Sequence, residues 1–96
     1  MIRTFTPGTP TVKITAGAAS ANVAVNTNTR TVRVVNSASA PVFIEIGGAG
    51  VTASASTSMP VLAGATETFG KGANGFIAVI CPAGAGDVFF TCGEGM

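Results

Sequence analysis

No stretch of this 96-residue chain keeps apolar residues at i, i+3, i+4 and i+7 without meeting a glycine or a proline, so an amphipathic helix has nowhere to form. The alanine-rich segment 16–21 is too short to hold a helix in water and reads as a turn. What remains is a series of short runs rich in Val, Ile, Phe and Thr, separated by clusters of Gly, Ala, Ser, Asn and Pro. They fall at residues 11–15, 21–25, 30–35, 42–46, 58–62, 66–69, 75–80 and 87–91. Short strands punctuated by turn residues at this spacing predict an all-β chain: a small antiparallel β-sandwich of about eight strands with no significant helix.

The runs differ in how they alternate. Val12-Lys13-Ile14 and Val32-Arg33-Val34 place apolar residues at i and i+2 with a charge between them, the pattern of a strand with one face buried and one solvated. Phe76-Ile77-Ala78-Val79-Ile80 is apolar on both faces, as is much of Val88-Phe89-Phe90. Those strands need cover on two sides. One cover is the core; the other is most simply a neighbouring subunit, or else a loop of the same chain folded across the sheet. Phe76, Val79, Phe89 and Phe90 are therefore candidate interface residues.

A chain of 9.4 kDa accommodates one core. Residues 11–96 are read as that domain and residues 1–10, with two prolines, as an extended N-terminal arm. Ile2 and Phe5 are apolar hooks on the arm and join the candidate interface. The longest connection, 47–58, is a run of small residues with only Val51 to pack. A domain of this size buries only a little over ~60% of its unfolded surface. With a mean hydropathy of +0.56 and 9% charged residues, against about 25% in an ordinary soluble domain, self-association is the economical way to hide the remainder. The amino terminus shows no apolar signal-peptide core, and the longest apolar run, 76–81, is far short of the roughly 20 residues of a membrane helix.

The chemistry is sparse. There is no histidine, tryptophan or tyrosine, which removes the commonest general base and metal ligand and most stacking platforms. A net charge of +1 with no clustering of Lys and Arg gives no footprint for nucleic acid. Glycine strings such as 47–50 and 84–86 lack the Gly-Lys-Ser/Thr or Gly-x-Gly-x-x-Gly that cradles a phosphate. Glu45, Glu67, Asp87 and Glu94 read as solvated surface charge with no neighbour in sequence to tune them. We therefore expect no enzyme activity, no catalytic residues, no cofactor and no metal. Cys81 and Cys92 are too few for a zinc site. Placed on successive strands, with a loop between, they stand over ~13 Å apart against a bridging limit near 7 Å, so both are expected to be reduced, buried thiols.

Several segments together resemble a known family. Arg33-Val-Val-Asn-Ser-Ala-Ser-Ala-Pro-Val-Phe-Ile-Glu-Ile-Gly47, Ser58-Met-Pro-Val-Leu-Ala-Gly64, Glu67-Thr-Phe69, Gly75-Phe-Ile-Ala-Val-Ile80 and the closing Phe90-Thr-Cys-Gly-Glu-Gly95 are similar to the small tailed-bacteriophage virion proteins of the capsid decoration, or cement, type. Cys92 stands where a proline is common in that ending. The resemblance implies a jelly-roll-like sandwich on the outside of the virion, made in the host cytoplasm. It would be a symmetric dimer or trimer whose partner is the major capsid protein and which needs neither nucleic acid nor membrane. A receptor- or glycan-binding fibre component and a head-to-tail connector are the alternatives. The resemblance also bears on topology. Locally, 30–35 and 42–46 could form a hairpin pairing Val34 with Ile44 and placing Arg33 beside Glu45. A jelly roll instead puts those two runs in opposite sheets and pairs 11–15 with 87–91. We expect the second arrangement, because it buries both chain-end strands and leaves residues 1–10 free to reach a neighbour.

Overall fold

The computed structural model describes residues 6–8, 11–25 and 29–94. Among them are nine strands and no helix: β1 (Thr6–Pro7), β2 (Val12–Ala16), β3 (Ala21–Ala24), β4 (Thr31–Asn36), β5 (Val42–Gly47), β6 (Met59–Val61), β7 (Thr66–Gly70), β8 (Phe76–Ile80) and β9 (Gly86–Glu94). The eight expected runs all form strands, with ends that differ by at most three residues. The largest extension is at β9, which runs on to Glu94 because β1 and β4 both pair with its far end.

Two antiparallel sheets result. Sheet A runs β2-β9-β4-β7, with β1 continuing along β9 beyond β2, and sheet B runs β3-β8-β5-β6. The first long strand pairs with the last, Val12 opposite Phe90 and Thr15 opposite Asp87. The local hairpin does not form, since β4 lies in sheet A and β5 in sheet B. Arg33 accordingly faces Thr68 and Thr91 rather than Glu45. This is the jelly roll: from β2 onward every connection but β5–β6 crosses from one sheet to the other, and the strands bury one face between the sheets.

The period-2 pattern of β4 and β9 sends Val32 and Val34, and Val88, Phe90 and Cys92, into the space between the sheets. They meet Val42, Ile44, Val61, Ile77 and Val79 from sheet B, and Cys81 just beyond β8. Each large aliphatic or aromatic side chain so enclosed contributes roughly 1.5–3 kcal/mol relative to exposure. Asn36 is a fully buried polar residue, and both ends of its amide are used: Nδ2 donates to the carbonyls of Val61 and Ala40, and Oδ1 accepts from the Ala38 N–H.

Two expectations are corrected here. Residues 1–10 are not a free arm throughout, because β1 pairs with Gly93 and Glu94 and the Gly8 N–H donates to the Cys92 carbonyl. Residue 1–5 structure, and with it Ile2 and Phe5, lies outside the described residues. At the centre of β8 the second cover comes from the chain's own loop rather than from a neighbouring subunit. Ala78 faces outward in register with Glu45 and Asn22, yet it is 0% exposed, because the 48–58 connection folds over it. That loop is tied at both margins: Asn22 Nδ2 donates to the Val51 carbonyl, the Ala53 N–H to Ser20 Oγ, and the Ser58 hydroxyl to Glu45 Oε1. A run of small residues suits this task, since it lies close to the sheet without large side chains to hold it off.

Candidate interaction surface

Among the described residues, no group of acids and cysteines is placed to hold a metal ion. The carboxylates are dispersed. Glu45 sits on the outer face of sheet B under Ser58, and Glu67 lies on β7. Asp87, at the start of β9, accepts from the Thr15 hydroxyl and lies 4.0 Å from Lys13 Nζ, while Glu94 is at the other end of that strand. No pair of acids stands on one strand face as acid and base. Lys71 is buried at 2% exposure, its ammonium donating to the Gly72 and Asn74 carbonyls while the Asn74 amide donates back to the Lys71 carbonyl. The lysine thus holds its own turn closed. A cleft of about 260 Å³ lined by Ile44, Glu45, Ile46, Thr57 and Met59 opens where β6 stops short of the end of β5. It is smaller than a usual small-molecule site.

The sequence-expected interface residues divide. Val79 and Phe90 are 0% exposed in the core and offer a partner no surface, which corrects their assignment. Their alternation with Ala78 and Phe89 decides it, because only one residue of each neighbouring pair can face out. Phe76 is half-buried on the outer face of sheet B beside Gly47 and Ala24. Phe89 is half-buried in the middle of the outer face of sheet A, in one cross-strand row with Lys13, Val35 and Thr66. The next row holds Thr91, Arg33 and Thr68, with the Thr11 hydroxyl 2.8 Å from that of Thr91 and Arg33 Nε donating to Thr68 Oγ1. Among the described residues, Leu62 and Met59 are the exposed large apolar side chains, at β6 and just after it.

The sheet edges are more informative than the faces, and the sequence reading did not address them. An unpaired edge is a template for another strand unless it is guarded. On β6 the guard is Pro60. The Cys81 N–H donates to Gly17 and Val25 N–H to Gly75, so residues 77 and 79 of β8 bond β3 and residues 76, 78 and 80 bond β5. In β5 that leaves 42 and 44 to bond β6, and Pro60, opposite Phe43, turns its donor-less nitrogen to the open side. β3 is short, and the 48–58 loop is fastened to it at Asn22. β7 is different. It has five residues and no proline, and among the described residues it pairs with β4 alone. The Asn36 N–H donates to Ala65 and Lys71 N–H to Arg30. Residues 67 and 69 therefore bond β4, and Thr66, Thr68 and Gly70 point their N–H and C=O groups away from the sheet. The signal for this edge was present in the sequence as a β-branched, proline-free run next to the proline-bearing 58–62, but only the strand order makes it an edge.

No protein-family model matches the chain, and no curated protein does. Among solved structures, one reported as "Bacillus endospore appendages form a novel family of disulfide-linked pili" has a similar fold. Its TM-score is 0.57 at 21% identity, over 98% of this chain and 90% of that one. At that identity the likeness is one of fold. The two cysteines of the present chain are both free and buried, at 0% and 3% exposure. The comparison also corrects the expectation of a phage capsid decoration protein. The jelly roll foreseen from that resemblance is there, but the similar solved structure just described belongs to an endospore pilus and not to a phage capsid decoration protein.

Proposed function

We propose that this chain is a non-enzymatic structural subunit that associates with copies of itself into a fibre, as the endospore pilus protein of similar fold does in its own assembly. The observation that carries the reading is the unguarded β7 edge, held open on a domain that closes or blocks both edges of its other sheet. Natural sandwiches cover or guard such an edge when it serves nothing. The sparse charge, 9% of residues, fits a surface that spends its life against other protein, and association needs none of the acid-base or metal chemistry that is missing from the described residues.

One feature of the pilus of similar fold does not carry over. Its linkage is by disulfides, whereas here both thiols point into the core, so the contacts between subunits are non-covalent. Sedimentation and negative-stain microscopy of the purified full chain test the proposal. Fibres or large oligomers at micromolar concentration, unchanged by reductant, are the expected result. A stable, non-aggregating monomer under those conditions overturns it.

A further inference from the structure

We infer that the edge of β7 in one copy pairs with the edge of β2 in the next, so that sheet A continues from subunit to subunit while sheet B does not. This rests on the fibre-subunit reading above and specifies its contact.

Strand direction is the first argument. In sheet A, three antiparallel steps separate β2 from β7, through β9 and β4. The two edge strands of one subunit therefore run in opposite directions. A second subunit moved sideways along the sheet, without being turned over, brings its β2 antiparallel to the first subunit's β7. The alternation of directions continues across the boundary, and the same step can be repeated without limit. Such a head-to-tail contact is heterologous, and with the natural twist of the sheet it generates a helical filament.

Backbone polarity is the second argument. In β7 the outward donors and acceptors belong to Thr66, Thr68 and Gly70, as shown above. In β9 the Ser37 N–H reaches the Asp87 carbonyl, and the Gly8 N–H the Cys92 carbonyl. Odd-numbered residues of β9 thus bond β4, and even-numbered ones bond β1 and β2. Val12, Ile14 and Ala16 consequently bond β9, and Thr11, Lys13 and Thr15 turn their N–H and C=O groups to the open side. On both edges the residues with outward backbone groups are the ones whose side chains lie on the outer face of the sheet. A ladder between them joins outer face to outer face and core face to core face, as the pleat requires.

Closure and blockage settle the choice among edges. A single β7-to-β7 or β2-to-β2 contact relates two copies by a two-fold axis and closes as a dimer, whereas a single β7-to-β2 contact leaves one edge of each kind open and repeats into a fibre. In sheet B, Pro60 removes a donor from β6, and the 48–58 loop is bonded to β3 at Asn22, so neither edge offers a clear ladder.

The test uses prolines at outward-facing positions of edge strands, where they delete a donor to the neighbour and leave the internal ladder intact. Thr68→Pro blocks β7, Lys13→Pro blocks β2 and Asn22→Pro probes β3. The expected result is that T68P and K13P each sediment as the 9.4 kDa monomer, while N22P assembles as the parent does. Mixed in equal amounts, T68P and K13P keep one sound edge of each kind and form a dimer of twice that mass and nothing longer. The dimer also establishes that both variants are folded. If N22P abolishes assembly and K13P does not, or if the mixture stays monomeric while the parent forms fibres, the β7–β2 contact is wrong and the fibre reading stands. If the parent itself is a monomer, the fibre reading fails with it.

Discussion

Asn36 Nδ2 lies 2.9 Å from the Val61 carbonyl oxygen, a hydrogen bond that reaches from β4 in one sheet to β6 in the other. The same amide also satisfies Ala38 and Ala40 in the connection between β4 and β5, at a position that is 0% exposed. Removing it strips the buried Ala38 N–H of its acceptor and takes one donor each from the Val61 and Ala40 carbonyls, and a buried polar group left unpaired costs about 1–3 kcal/mol. We expect Asn36→Ala to destabilise the domain by about 3 kcal/mol and Asn36→Asp by at least as much at neutral pH, where a carboxylate cannot donate. Urea unfolding followed by circular dichroism measures both. A loss under about 1 kcal/mol for the alanine variant contradicts the role given to the amide.

Gly86 begins β9 at φ +148°, and a Cβ placed there meets the Ala38 Cα at 2.5 Å and its Cβ at 3.0 Å. The two loops are laced by the Ser39 N–H to the Ala85 carbonyl and the Ser37 N–H to the Asp87 carbonyl, so neither can retreat cheaply. Gly86→Ala should cost about 2–4 kcal/mol through strain and displaced backbone. Gly48→Ala, with nothing within 4 Å of its Cβ, should change stability by less than about 0.5 kcal/mol. Thermal melts of the pair give the contrast directly.

Phe89 and Phe90 are adjacent and chemically identical, yet only Phe90 is enclosed, at 0% exposure. Phe90→Ala should lose about 3–5 kcal/mol, the range for truncating a fully buried aromatic ring. Phe89→Ala should lose less than half of that in the monomer, since its ring lies half-open on the outer face of sheet A. Equal losses measured by denaturant titration would mean that the register of β9 is shifted by one residue.

Cys81 and Cys92 are both free and enclosed by the core. In the folded protein neither should react with a thiol reagent at an appreciable rate, and after denaturation without reductant both should, giving two modified thiols by mass spectrometry. One or no modified thiol after denaturation shows a disulfide that this structure does not contain.

The placement of strands was legible because it depends on neighbours in sequence. Val32-Arg33-Val34 alternates, prolines and glycines bound the runs, and no helical stripe survives; these are local facts and they gave the all-β sandwich. The assignment of Val79 and Phe90 to an interface failed for a physical reason. A strand apolar on both sides reads the same whether its second side meets another molecule or its own loop, and composition does not say which residue of an alternating pair faces in. Val79 and Phe90 face the core, and Ala78 is sealed by the 48–58 segment.

By itself the amino-acid sequence determined that this chain makes short strands, that it carries almost no chemistry for catalysis, and that it holds two thiols to hide. Only the tertiary structure decided that 11–15 lies against 87–91 rather than 30–35 against 42–46. It also decided that β7 is an edge with Thr66, Thr68 and Gly70 turned outward. Strand order is set by contacts between residues far apart in the chain, whose free energy comes from the shared core between two sheets. Each run is compatible with several partners, and only the packing of all of them at once selects one.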